Sequence, residues 1–305
     1  MSWTLALIPE LSGKHALVTG GTGGLGHHVA LELARAGARV TLTGRNEHAL
    51  KETTDQIQQE VKGAALETVH VDLADLASIR YAAESVLAHG DPVDILVNNA
   101  GVMAPPYRRT SDGFELQFGT NHLGHFALTG ALLPLLGSAR VVTVTSLMHR
   151  GAKRVPLTDP RMHDGYRRWQ AYCESKLANV QFALELNRRA RAAGLDLTSV
   201  AAHPGYTATR LQSSGLQMGG AHLSGYALSA VTRVVGQSAA AGALPILYAA
   251  TQQGLPGGAL AGPSRLMELR GSPRIVEMSR AAQDPVAAAG LWQLSERATG
   301  ITFLS

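Results

Sequence analysis

The stretch His15-Ala16-Leu17-Val18-Thr19-Gly20-Gly21-Thr22-Gly23-Gly24-Leu25-Gly26 decides the fold. Its first residues, up to Thr19, are apolar and short, as in a buried strand, and from Leu25 to Ala36 the apolar spacing turns helical. A strand that feeds a helix through glycines is a natural cradle for a diphosphate. The bare backbone lets phosphates come close, and the helix N-terminus offers free amides and the positive end of its dipole. Two registers fit: Gly21, Gly23 and Gly26 match a general dinucleotide fingerprint, while Gly20, Gly24 and Gly26 match Thr-Gly-x-x-x-Gly-x-Gly.

The same alternation continues outward. Strand-like runs lie at Arg39 to Thr43, Leu66 to Val71, Val93 to Val97, Ala139 to Thr145 and Leu195 to Ala201. Helical spacing fills Glu47 to Val61, Leu76 to Ala88, Leu116 to Leu136 and Tyr172 to Ala193. Alternating strands and helices require right-handed crossovers, so the expected fold is α/β: a single-domain, doubly wound parallel sheet with helices on both faces. Residues 12–145 would form the cofactor half and 146–305 the catalytic and substrate half. After Pro204-Gly205 the pattern loosens, which suggests a C-terminal substrate lid over Leu211 to Val235. A helix ending near Ala250, a last strand near Gly258 to Ala261 and a closing helix over Pro285 to Ala298 complete the expectation.

Composition excludes several classes. With 45% hydrophobic and 16% charged residues, the 305-residue chain buries a core and is neither disordered nor fibrous. A net charge of +4 arises from scattered pairs such as Arg108-Arg109 and Arg188-Arg189, so no nucleic-acid arm is expected. Cys173 is the only cysteine, which rules out an internal disulfide or a cysteine-cluster zinc site and suits a reducing, cytoplasmic setting. The N-terminus lacks the features of a secretory signal, and Arg233 interrupts the Ala/Gly/Leu-rich stretch from Met218 to Ala250, so no integral membrane segment is expected.

The chemistry gathers at strand ends. Arg45, followed by Asn46, stands where a dehydrogenase selective for NAD usually carries an acid, and its guanidinium can pair with a 2′-phosphate; NADP is the expected cofactor, with NAD the alternative. Tyr172 and Lys176 are one helical turn apart, Ser146 ends a strand, and the Asn98 to Gly101 run ends another. In this fold such ends surround one crevice. Tyr172 can exchange a proton with an alcohol or carbonyl oxygen, Lys176 should lower its pKa and hold the nicotinamide ribose, and Ser146 should hydrogen-bond the substrate oxygen.

Taken together, Thr19-Gly20 to Gly26, Asp72, Asn98 to Gly101, Asn121, Ser146, Tyr172, Lys176 and Pro204-Gly205 resemble the short-chain dehydrogenase/reductase family. Phe118-Gly-Thr-Asn-His-Leu-Gly-His-Phe126 and Tyr172-Cys-Glu-Ser-Lys-Leu-Ala-Asn179 are similar to the branch of retinol dehydrogenases and the WW-domain-containing oxidoreductase, although no WW domain is present. The resemblance implies an Asn121, Ser146, Tyr172, Lys176 catalytic set, with Asn121 holding a helix carbonyl and a water that passes protons to Lys176. It implies that Asp72 accepts from the adenine amino group, that Asn98 and Gly101 frame the adenosine, and that Thr207 and Thr209 meet the carboxamide and diphosphate. Thr22, Leu25, Leu73, Ala100 and Pro204 fall at its further cofactor contacts. Gly23 departs from the pattern, since many NADP-preferring members carry a base there, leaving Arg45 to select the phosphate. The substrate implied is an apolar alcohol or carbonyl compound, lipid-, retinoid- or steroid-like.

Blander readings fit the remainder. His122 and His125 are three apart on a helix but lack a third ligand, so no metal is expected. Cys173 reads as a small helix-face residue. Leu116 to Leu136 is apolar on more than one face, which suggests a subunit contact in a homodimer or homotetramer. Competing functions are a catalytically silent dinucleotide sensor, which usually loses the tyrosine or its lysine, and an NAD-dependent sugar-nucleotide epimerase, against which Arg45 and the Asn98 to Gly101 run speak.

Overall fold

A computed structural model describes residues 2–157, 165–207 and 237–305. Among them run eight strands in one sheet: β1 (His15–Thr19), β2 (Arg39–Gly44), β3 (Leu66–His70), β4 (Ile95–Asn98), β5 (Arg140–Val144), β6 (Thr198–Ala202), β7 (Leu260–Arg265) and β8 (Arg270–Ile275). Their spatial order is β3-β2-β1-β4-β5-β6-β7-β8. The first seven pair in parallel, and β8 returns antiparallel to β7. The chain leaves β1 toward β2 on one side and comes back to β4 on the other, so the switch point lies between β1 and β4.

Helices α1 (Gly24–Arg35), α2 (Glu47–Glu60) and α3 (Leu76–His89) follow the first three strands; α4 (Gly124–Ala131) and α5 (Arg168–Ala192) follow β4 and β5; α6 (Ala239–Thr251) precedes β7, and α7 (Pro285–Thr299) closes the chain. Local chemistry sets their starts. Asn46 caps α2 through Ala49 N at 3.0 Å, Asp75 caps α3, and Asp284 caps α7 ahead of Pro285. Alternation along the strands divides the core. Ala16 and Val18 of β1 face a cluster with Val29, Leu33 and Ile246, whereas Leu17 faces Ile79, Phe126, Phe182 and Trp292 on the other side.

Three differences from the expected elements have physical reasons. The stretch expected as one helix from Leu116 to Leu136 is broken into an α-turn (Leu116–Phe118), a π-turn (Gly119–Leu123), α4 and a 3-10 turn at Leu133–Leu135. Its many-sided apolarity is used inside the chain: Phe118, Leu123, Phe126, Leu128, Leu132 and Leu136 are all buried. Helix α5 begins at Arg168, a turn before Tyr172, because nothing between Arg168 and Tyr172 breaks a helix. Strand β8 was not anticipated; its Pro273, Gly271 and short apolar content hide a strand signal. The expected lid from Leu211 to Val235, together with Thr209, lies outside the described residues. Among those described, no helix is long and apolar enough to cross a membrane.

The second core cluster is aromatic. Phe126 lies 5.0 Å from Trp292 and 4.9 Å from Phe303, ring centre to ring centre. Phe126→Ala should therefore destabilise the protein by about 3–5 kcal/mol, read as a lowered urea midpoint; a shift equivalent to under about 1 kcal/mol would mean that the ring does not hold α4 to α7.

Candidate functional site

The first wall of the site is the turn after β1. Gly20 and Gly24 have φ values of +64° and +54°, in the left-handed region that favours glycine. A Cβ on Gly26 would stand 2.3 Å from the Gly20 carbonyl oxygen, and one on Gly20 would stand 2.9 Å from Ala100 Cα. A Cβ on Gly23, in extended backbone, would meet nothing within 4 Å. Gly20 and Gly24 of the second register need glycine for their backbone angles, Gly26 serves both registers, and of the first register Gly21 is crowded by Leu42 while Gly23 has open space. Gly23 also caps α1 without a side chain, leaving the first-turn amides to an outside acceptor. Those amides and the bare turn fit the diphosphate of a dinucleotide.

The neighbouring positions extend that cradle. Arg45 is exposed just beyond β2 and makes no ion pair among the described residues; Thr22 and Leu25 are half-buried beside the turn. Asn46 has its side chain committed to capping α2. Asp72 accepts from Ala74 N at 2.9 Å and is followed by buried Leu73. Ala100 approaches the turn, and Gly101 lies toward Asn121 and Lys176, but the Asn98 side chain points elsewhere and donates to Thr129 Oγ1 of α4 at 3.0 Å. Its Nδ2 is used inside the core and its Oδ1 is buried there without a hydrogen bond, so only the backbone of Asn98 is left to frame a ligand. On the far side Gly205 has φ +71°, and Thr207 Oγ1 donates to the Pro204 carbonyl at 3.0 Å.

Opposite the turn stand the proposed reactive groups. Tyr172, Lys176 and Ser146 line one cavity of about 490 Å³, with Leu25, Gly101 and Thr207 on its cofactor side. Its other walls include Met103, Leu147, Trp169 and Leu269, so the space beside Tyr172 is apolar. Burial pushes the Tyr172 phenol up to about 12, opposed by a hydrogen bond with Ser146. The Ser146 hydroxyl is itself held by Met148 N–H at 3.2 Å. Burial alone brings Lys176 down to about 8, and its Nζ donates to the Val144 carbonyl at 3.2 Å. The expected lowering of Tyr172 by Lys176 is not found; the ammonium lies 5.9 Å from the ring centre, aimed at the carbonyl, and desolvation dominates both groups.

Asn121 sits in the π-turn and ties three elements together. Its Oδ1 accepts from Val102 N at 2.7 Å, and its Nδ2 donates to the Val102 carbonyl and to Ser175 Oγ, both at 3.0 Å. Gly101 must be small there, because a Cβ would come within 2.9 Å of Asn121 Oδ1. Supporting residues missed in the sequence lie close by. Thr145 Oγ1 donates to the Lys176 carbonyl at 2.7 Å, and His149 Nδ1 lies 2.7 Å from the Ser146 carbonyl. The β7–β8 turn brings Glu268 to His203 and Arg150, at 3.1 and 2.9 Å, and so presents Leu269 to the cavity. Proximity to Ser146 and Lys176 was the available signal for the first two; nothing local marked Glu268. Cys173 is buried and burial raises its pKa, which leaves it an unreactive helix-face residue. Among the described residues, no His, Cys, Asp and Glu cluster could hold a metal.

Known proteins resemble this chain in sequence and fold. Residues 14–218 match the family model described as short chain dehydrogenase. Retinol dehydrogenase 12 of Homo sapiens is 42% identical over 205 residues, which cover 66% of this chain and 64% of that protein. Polyprenol dehydrogenase of Mus musculus is 38% identical over 262 residues, 82% of this chain and 75% of its own. The chain spans 65%, 64% and 61% of the length of the first three curated relatives it matches. A crystal structure of an uncharacterised protein from Mycobacterium Paratuberculosis superposes with a TM-score of 0.81 at 40% identity over 99% of each chain. One of an NAD(P) dependent gluconate 5-dehydrogenase from Beutenbergia cavernae, with NADP bound, gives 0.60 at 29% identity over 79% of this chain and 91% of that one.

Holding Lys176 near 8, against its ordinary 10.5, opposes folding. Below pH 8 both the folded and the unfolded chain carry the proton and the penalty is complete; between 8 and 10.5 the unfolded chain binds more protons, so stability from this group rises with pH. Lys176→Met removes the penalty, and the Val144 carbonyl keeps its bond from Asn179 Nδ2 at 3.0 Å. Without added cofactor, the variant should be more stable than the parent at pH 7, by about 3 kcal/mol at most, the difference closing toward pH 10.5. A urea midpoint at or below the parent's at pH 7 would contradict this.

Proposed function

The chain belongs to the short-chain dehydrogenase/reductase family, in its retinol dehydrogenase-like branch, and from that membership we propose that it interconverts an alcohol and a carbonyl compound using NADP. The observation that carries this reading is the pairing of Tyr172 with Lys176 on α5, both buried at one apolar cavity with Ser146.

The glycine turn and the free first-turn amides of α1 would hold the diphosphate, Asp72 the adenine, and Arg45 the 2′-phosphate. Thr207 and the Pro204-Gly205 backbone would meet the carboxamide. Bound NADPH supplies the hydride for reduction and NADP accepts it in the reverse direction. Tyr172 gives its phenolic proton to the substrate oxygen as the carbonyl is reduced. With its pKa raised by burial the phenol stands protonated, which is the form that reduction consumes. Ser146 donates to the same oxygen as negative charge develops on it. Lys176, titrating near 8, would hold the ribose and return a proton to the tyrosinate, its own proton being restored by a water held at the Asn121 carbonyl.

Met103, Leu147, Trp169 and Leu269 favour an apolar substrate, and the names of the retinol and polyprenol dehydrogenase relatives support a lipid- or retinoid-like alcohol. A cytoplasmic setting is part of the same reading, supported by the lone buried thiol of Cys173.

Titration with NADPH and NADH, followed by nicotinamide fluorescence, should show tighter binding of NADPH. Arg45→Ala should weaken NADPH about tenfold and leave NADH unchanged; equal affinity for both cofactors in the parent would remove the selector role. With apolar aldehydes as substrates, Tyr172→Phe should abolish turnover while NADPH still binds. Near-parental activity in that variant would defeat the mechanism.

A further inference from the structure

His125, on the first turn of α4, lies between the glycine turn and Asn121. Its Nδ1 is 2.9 Å from the Asn121 carbonyl oxygen, and its Nε2 is 2.9 Å from Thr19 Oγ1 at the end of β1. Counting donors fixes the tautomer. A carbonyl oxygen can only accept, so Nδ1 must carry the hydrogen. Thr19 Oγ1 already accepts from Asn99 N at 2.8 Å and from Ala100 N at 2.9 Å, which fills both lone pairs. Its one hydroxyl hydrogen must therefore go outward, and Nε2 at 2.9 Å is closer than the Val97 carbonyl at 3.3 Å. Both ends of the ring demand the same neutral form, with Nδ1 protonated and Nε2 accepting.

We propose that His125 is a positioning residue for the reaction: it transmits the placement of the Thr19, Asn99 and Ala100 backbone junction to the Asn121 carbonyl, and so aims that carbonyl at the water that would pass protons to Lys176. This rests on the reading of Asn121 given above. The ring is fully buried, so water cannot substitute for either bond. Burial holds His125 near 4, and the charge of Lys176 also disfavours its imidazolium; His122, one turn before it, is held lower still. His125 thus stays neutral where the enzyme would work, and it does not itself exchange protons. Its contribution is directional, because a carbonyl in a π-turn can tilt, and the side chain anchors it to the sheet.

The test separates the two ring nitrogens. In His125→Asn the side-chain amide stands near the place of Nδ1 and can still donate to Asn121; in His125→Gln it stands near Nε2 and reaches Thr19 instead; His125→Leu does neither. With NADPH and an apolar aldehyde, Leu and Gln variants should lose kcat by roughly 10- to 100-fold, with NADPH affinity within about twofold of the parent by fluorescence. The Asn variant should recover most of kcat, and the pH profile of kcat/KM should be displaced in the Leu variant and restored in the Asn variant. Parental kcat and pH profile in the Leu variant, or equal losses in Asn and Gln, would overturn the proposal.

A measurement that needs no turnover accompanies it. Ring-nitrogen correlation spectra of the 15N-labelled parent protein should show His125 as the Nδ1–H tautomer from pH 6 to 8. An Nε2–H tautomer or an imidazolium would overturn the proposal even if the enzyme proved active. If no carbonyl compound is turned over but the Nδ1–H form is found, it is the proposed reaction that fails, and the link from Thr19 to Asn121 stands.

Discussion

The molecule depends on how closely two backbones approach at the ends of β1 and β4. Gly20 leaves no room for a side chain against Ala100, and the Thr19 hydroxyl gathers the amides of Asn99 and Ala100. Asn99 answers by donating from its side chain to the Thr19 carbonyl at 2.7 Å. This junction is the switch point of the sheet, where the chain has gone out to β3 and returned, and the crevice above it exists because the two crossovers part there. The diphosphate cradle, the Gly101 approach to Asn121 and the orientation of α4 all take their positions from it. A methyl group at Gly20 would move all of them at once.

The reactive pair shows the opposite tendency, toward instability. Tyr172 and Lys176 are both buried, and burial disfavours the charged form of each, raising one and lowering the other toward a common neutral state. A chain selected for stability alone would place apolar side chains there. The surroundings limit the strain: Thr145 fixes the backbone of Lys176, and Val144 gives its carbonyl both to the ammonium and to Asn179. The lysine is thereby held with its proton only loosely bound, ready for a neighbouring charge to tighten it.

The sheet and its crossovers were legible because strands buried on both faces are continuous apolar runs, while the helices between them carry one apolar stripe. Ser146, Tyr172 and Lys176 could be picked out because strand ends in this fold converge. Tertiary facts were not legible. The π-turn at Gly119–Leu123 has no residue signature, and the bonds its Asn121 makes to Val102 and Ser175 across the core are not visible in chain spacing. Asn98 was placed by its motif at the adenosine, yet its side chain serves Thr129. The pKa of Tyr172 went up where a neighbouring cation suggested down, because sequence spacing reports adjacency and not desolvation. In the sequence His125 is marked only by the branch motif, for its two partners are 106 and 4 residues away in the chain, and only counting the lone pairs of Thr19 shows what the ring does.

The antiparallel β8 has a consequence for how the protein meets other proteins. A parallel sheet ending at β7 would present a straight row of unpaired amides and carbonyls, a template on which another chain could extend the ladder. The outermost strand is instead Arg270–Ile275, with Pro273 lacking a donor, Gly271 at φ +113° and two arginines, and its pairing with β7 shifts register between Pro263 and Arg265. A foreign strand approaching this side finds an interrupted, positively charged border. The hairpin that delivers Leu269 to the cavity therefore also makes this margin a poor template for an added strand.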